Sequence, residues 1–168
     1  MPTLGEDVRS YRRALEDGSA ARAYKGILAF VSQLQTRMLE RFPACAAGAF
    51  YPGYLDMTYF ALTPPELRER KLKLAVVYLH AENRFELWLA ANNRALQAEA
   101  AEQLFKLPLG GYEVTRPAPG VDAIIAVVAV AEPDFDRPDD LTQAIADAFS
   151  SFLRDMTALV SKTALVRR

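Results

Sequence analysis

YPGYLDMTYFALTPPELRERKLKLAVVYLHAENRFELWLAANNR, residues Tyr51 to Arg94, is the stretch that decides the fold class. Three strand-like runs follow one another in it with short breaks. From Tyr54 to Leu62 two interleaved sets face opposite ways: Leu55, Met57, Tyr59 and Ala61 on one side, Tyr54, Asp56, Thr58 and Phe60 on the other. That split follows from the two-residue period of an extended chain. Pro64 and Pro65 open a short helical turn reaching Arg70. A second run extends from Lys71 to His80, a turn occupies Ala81 to Asn83, and a third run goes from Arg84 to Ala90. So short a turn makes the last two runs an antiparallel hairpin.

Helical patterns flank this block. Leu4, Val8, Tyr11 and Leu15 recur at helical spacing before Gly18 breaks the run. Ser19 is placed to cap a second helix carrying Tyr24, Ile27, Val31, Leu34, Met38 and Phe42 on one face, with Pro43 closing it. Both stripes are backed by Arg and Glu, the pattern of helices that cover something. Downstream, Asn93 caps a helix from Arg94 to Phe105, and Gly110-Gly111 mark a loop. Pro117, Pro119 and Gly120 prepare a fourth strand, Val121 to Val130. Its almost unbroken apolar character predicts a central strand covered on both faces. Asp140 with Gln143 resembles a capping box. The last helix sets Leu141, Ile145, Phe149, Phe152, Met156 and Leu159 or Val160 along one side. The order is α-α-β-β-β-α-β-α: an α+β fold, a mostly antiparallel sheet of about four strands with helices packed on it.

At 168 residues the chain fits a single domain, and such a domain buries roughly 70% of its unfolded surface without needing a metal or disulfide scaffold. The formal net charge of −1 provides no field for nucleic acid or an anionic membrane. Arg68, Arg70, Lys71 and Lys73 cluster as a solvated helix end running into a strand. Cys45, the sole cysteine, excludes an internal disulfide and a cysteine zinc site; between Ala44 and Ala46 it reads as a small buried hydrophobe. The N-terminus is charged by position 6 and lacks a signal-peptide core. The longest apolar run, Ala123 to Ala131, is too short to span a bilayer. A cytoplasmic, reducing setting is the expectation.

Ionisable groups inside strands need a partner, exposure or a function. The candidate ligand-binding residues are therefore Tyr54, Asp56, Tyr78, His80, Arg84, Glu86 and Trp88, with Tyr51 and Tyr59 as further pocket-lining tyrosines. Their grouping depends on hairpin register. A three-residue loop sets His80 opposite Arg84, Tyr78 opposite Glu86 and Val76 opposite Trp88, all on one face. A two-residue loop pairs His80 with Phe85 and moves Glu86 and Trp88 to the Lys71 and Lys73 side, since a one-residue slip exchanges the faces. Arg84 is the natural ion-pair partner for Asp56. His80 is the only histidine and no nucleophile elbow accompanies it, which argues against a Ser-His-Asp triad. Gly110-Gly111 lacks the lysine and hydroxyl of a phosphate loop.

The strings AYKGILAFV near Ala23, GYLDMTYF at Gly53 to Phe60, RKLKLAVVYLH at Arg70 to His80 and RFELWLA at Arg84 to Ala90 resemble an uncharacterised bacterial single-domain family, a domain of unknown function. GVDAI at Gly120 and PDFD at Pro133 extend the likeness across the chain, while the alanine-rich helix from Ala95 to Ala101 departs from it. The resemblance implies one domain, residues 1–168, in a soluble bacterial setting. It carries no activity or catalytic residue.

Two functions fit these residues. One is a small-ligand-binding or protein-interaction module using an aromatic and polar sheet face formed by Tyr54, Tyr78, Trp88 and Arg84. The other is a hydrolase-like enzyme using Asp56 and Glu86 with His80 or a divalent metal. The first requires no cofactor and no metal. Its expected partners are a small molecule, neither nucleic acid nor membrane, with a homodimer through the last helix or a sheet edge compatible with the pattern.

Overall fold

The computed structural model describes residues 1–167. Five strands form one antiparallel meander in the order β1 (Ala46–Ala47), β2 (Met57–Thr63), β3 (Leu72–Leu79), β4 (Arg84–Ala91), β5 (Ala123–Ala131). Helices α1 (Leu4–Leu15) and α2 (Ser19–Arg41) precede the sheet, and the short α3 (Pro65–Arg68) joins β2 to β3. Helix α4 (Arg94–Phe105) joins β4 to β5, and α5 (Pro138–Ser161) ends the fold. The α+β class and the expected element order hold; β1 is a small addition, and α3 forms in the helical turn expected after Pro64.

One face of the sheet makes the core. Phe60 and Leu62 of β2, Leu74 and Val76 of β3, and Phe85, Leu87 and Leu89 of β4 have no accessible surface. They pack in one cluster with Val31, Leu34 and Met38 of α2, Ala100 and Leu104 of α4, and Ile145, Phe149, Phe152 and Met156 of α5. The alternation in β2, β3 and β4 therefore delivers one apolar set to the helices and turns the other to the second face. Cys45 is buried, and burial raises its thiol pKa.

Several sequence expectations are corrected. β5 is an edge strand, not a central one; Ala126 and Ala131 are exposed and Val128 is 50% exposed. An unbroken apolar run has no alternation to report its place in the sheet, and small outward residues tolerate water. Two register shifts against β4 interrupt the strand, and Thr115 N–H covers part of its edge by donating to the Ile124 carbonyl at 2.8 Å. Such devices blunt an edge.

Helix α1 forms where its spacing predicts, with a Thr3–Glu6 capping box, yet it buries no residue. Its apolar stripe stays largely open to solvent, with α2 as its neighbour. Ser19 does not cap α2: Gly18 holds that position with a left-handed φ of 74°, and Asp17 Oδ1 accepts from the Ser19 N–H and hydroxyl. Asp140 lies inside the first turn of α5 rather than at its cap, because Pro138 already starts the helix after Arg137. Among the described residues no helix is long and apolar enough to cross a membrane.

Candidate functional site

The β3–β4 hairpin has a four-residue loop, His80 to Asn83, which neither expected register contained. Leu79 pairs with Arg84, Val77 with Glu86, Ala75 with Trp88 and Lys73 with Ala90. Asn83 takes a left-handed φ of 48°, a conformation asparagine tolerates better than most residues. Being two residues longer, the loop leaves the faces as the two-residue loop would: Arg84, Glu86 and Trp88 join Lys73 on the second face, while Tyr78 joins the core.

On that second face Arg84, Glu86 and Trp88 form a ladder along one strand, each two residues from the next. Arg84 donates to Glu86 Oε1 through Nε at 2.8 Å, and a terminal guanidinium nitrogen lies 2.6 Å from the same oxygen. Trp88 Nε1 donates to Glu86 Oε2 at 2.7 Å. Glu86 is only 7% exposed, so these bonds satisfy a carboxylate that burial would otherwise penalise. Trp88 has Ala75 beside it on β3 and Ala126 beside it on β5. Small neighbours on both sides leave the indole room, and the carboxylate fixes its direction.

The indole forms part of the floor of a depression of about 490 Å³. Ala75, Val77 and Ala90 complete the floor. Tyr51 and Tyr59, with ring centroids 4.9 Å apart, make one wall with Met57; Lys73, Asn92, Asn93, Arg94, Gln97 and Asp122 make the other sides. Tyr51 reaches the site through an isolated bridge to Tyr59. The opposite wall follows from the helix start: Asn93 caps α4 by accepting from Leu96 N–H at 2.8 Å, which leaves Arg94 and Gln97 at the end of β4. Arg94 is held by the Val121 carbonyl at 2.6 Å, by Gln97 Oε1 at 3.1 Å and by Asp122 at 3.2 Å. Lys73 makes no ion pair among the described residues.

The other sequence candidates lie elsewhere. Tyr54 and Asp56 precede β2 in a bend where Leu55 has φ 67°, so they are not strand residues and both are exposed. Asp56 does not pair with Arg84. Its Oδ1 accepts from the Tyr54 N–H at 2.8 Å, and backbone hydrogen bonds from Tyr54 and Met57 hold its pKa below the usual aspartate value. Tyr78 is in the core cluster, its hydroxyl donating to Asn83 Oδ1 at 2.8 Å, and burial raises its pKa. His80 packs against Tyr78 and Tyr24, with centroids 4.9 and 5.8 Å away. The Thr58 hydroxyl donates to the Pro52 carbonyl at 2.7 Å, so its contact with His80 Nε2 at 2.8 Å requires the Nε2–H tautomer. Burial lowers the His80 pKa, with nearby Asp56 opposing.

Among the residues expected at a site, Trp88 thus lines the depression, as do Tyr51 and Tyr59, with Arg84 and Glu86 behind the indole. Arg94, Gln97 and Asp122 were not anticipated, and Lys73 was expected beside Glu86 and Trp88 only as part of an ion-paired outer face. Gln97, a buried polar residue in an alanine-rich helix, and Arg94, directly after a helix cap at a strand end, were the available signals. No group of three or more His, Cys, Asp or Glu residues suited to a metal ion occurs among the described residues.

The fold and this face define an α+β meander domain with an aromatic-walled depression on its sheet. The family described as a domain of unknown function, DUF7000, matches residues 4–160, and the chain belongs to that family. No curated protein matches the chain, and no solved structure does.

Proposed function

We propose that the protein binds a small planar organic molecule carrying an anionic group in the depression over Trp88. The observation that carries this reading is the directed indole: Glu86 holds Trp88 beside Ala75 and Ala90, whose short side chains leave the space above the strands unfilled. Pockets of this kind combine apolar and aromatic walls with a few polar groups that orient the ligand. Tyr51 and Tyr59 supply a second aromatic surface. Lys73, without a carboxylate partner among the described residues, supplies a cation, while the Arg94 guanidinium is already engaged by its own neighbours.

The hydrolase alternative loses its geometric support. Glu86 has both oxygens engaged, Asp56 lies in the exposed bend, and His80 packs with Tyr78 at the core side. None of the three lines the depression.

Trp88 is the only tryptophan, so its emission reports on the site without mutation. Titration with a panel of aromatic carboxylates should give a saturable change. Affinity should fall about tenfold in Lys73→Ala, the loss of one charge-assisted contact, and binding should vanish in Ala90→Leu, which fills the floor. Absence of saturable binding across the panel, or binding indifferent to Ala90→Leu, would overturn the reading.

A further inference from the structure

Among the described residues, α1 is the one long helix that buries none of its residues. Leu4, Val8, Tyr11 and Leu15 are 80%, 45%, 57% and 37% exposed. A free helix of this length is marginal in water, yet this one carries a complete capping box, with Thr3 N–H donating to Glu6 Oε2 at 2.6 Å. The turn that attaches it is also fixed. Gly18 is left-handed, Asp17 Oδ1 holds Ser19, and Arg22 donates to the Asp17 carbonyl at 3.3 Å. The arm is thus built and aimed, with its stripe uncovered.

The spacing of that stripe and its charges identify what covers it. The intervals 4, 3, 4 between Leu4, Val8, Tyr11 and Leu15 are those of a coiled-coil seam, and they read the same in both directions. An antiparallel copy therefore sets Leu4 against Leu15 and Val8 against Tyr11, a small side chain facing a large one at each central layer. The charges are polarised as well: Glu6 and Asp7 in the first turn, Arg12 and Arg13 in the last. Antiparallel pairing brings the acidic end of one helix to the basic end of the other, whereas parallel pairing would stack like ends. A seam complementary to itself about a two-fold axis is what an isologous dimer needs. We infer that two copies of this chain associate through α1, paired antiparallel along Leu4, Val8, Tyr11 and Leu15. This inference stands independently of the ligand reading, because α1 is remote in sequence and contact from the depression over Trp88.

Sedimentation equilibrium of the full chain tests it. The wild-type protein should reach the mass of two chains at high micromolar concentration, and Val8→Glu with Tyr11→Glu should stay at one. At concentrations low enough for both proteins to be single chains, the variant should keep the wild-type far-UV circular dichroism and thermal midpoint, since no residue of α1 is buried in its own chain. Orientation is read separately by mixing Leu4→Cys and Leu15→Cys chains under mild oxidation, Cys45 being buried. The mixed 4-to-15 disulfide should dominate. A wild-type protein monomeric throughout, a dimer that survives the double substitution, or cross-linking of position 4 mainly to itself would each overturn the inference.

Discussion

Trp88 Nε1 donates to Glu86 Oε2 at 2.7 Å, from two residues further along the same strand and on the same face. The bond joins the fold to the candidate site, because a buried carboxylate that Arg84 neutralises on one oxygen directs the indole with the other. The Arg84 side chain is partly exposed, so water screens some of the pair. Arg84→Ala, which leaves the carboxylate without its counter-charge, should destabilise by about 1–3 kcal/mol. Glu86→Ala should cost about 1–2 kcal/mol and change the Trp88 quantum yield. Urea unfolding followed by far-UV circular dichroism measures both. Costs under about 0.5 kcal/mol, ordinary for surface changes, would show that the ladder holds nothing in place.

His80 gives the chain a pH dependence of definite sign. Burial places its folded pKa below the ordinary value of 6.5. Between the two values the unfolded chain binds more protons, so stability falls as pH drops through that window and then levels off. His80→Gln should remove this component and leave the acid loss caused by carboxylates. Denaturation midpoints at several pH values, with the single imidazole titrated by NMR, check it; a folded pKa at or above 6.5 contradicts it.

Gly53 is required by the bend before β2. Its φ is 74°, and a Cβ there would lie 1.8 Å from the Met57 carbonyl oxygen. Backbone, not a movable side chain, would have to yield. Gly53→Ala should therefore cost about 2–4 kcal/mol and loosen the segment that presents Tyr51. A thermal midpoint equal to wild type would refute the tight approach.

Val128 tests the edge position of β5. It is half-exposed and pairs with Glu86 across the strands. Val128→Lys should change stability by no more than about 0.5 kcal/mol, the usual surface range. In a central strand covered on both faces the same change would bury an unpaired charge and cost several kcal/mol. Chemical denaturation separates the two cases.

Local patterns were legible wherever local physics sets the structure. Alternation in Met57 to Leu62 and Leu72 to Leu79, the cap at Asn93, and the stripe from Leu141 to Leu159 each describe an element that forms where its residues place it. The candidate site was only half legible. Trp88, Tyr51 and Tyr59 stood out as aromatic residues near strands, but Lys73 and Arg94 acquire meaning only when β3 and the start of α4 are brought side by side.

The sequence by itself determined the α+β class, the order of helices and strands, and the family. Periodicity, capping and proline or glycine breaks act within a few residues, so they can be read along the chain. Tertiary structure alone decided three things. The four-residue loop with a left-handed Asn83 settled which face carries Glu86 and Trp88, since one residue more or less exchanges the faces. Pairing with a single neighbour made β5 an edge, a fact about distant strands that an unbroken apolar run cannot encode. The rigid turn at Asp17-Gly18 left the stripe of α1 uncovered, because an amphipathic pattern says that a face is apolar and never what it will meet.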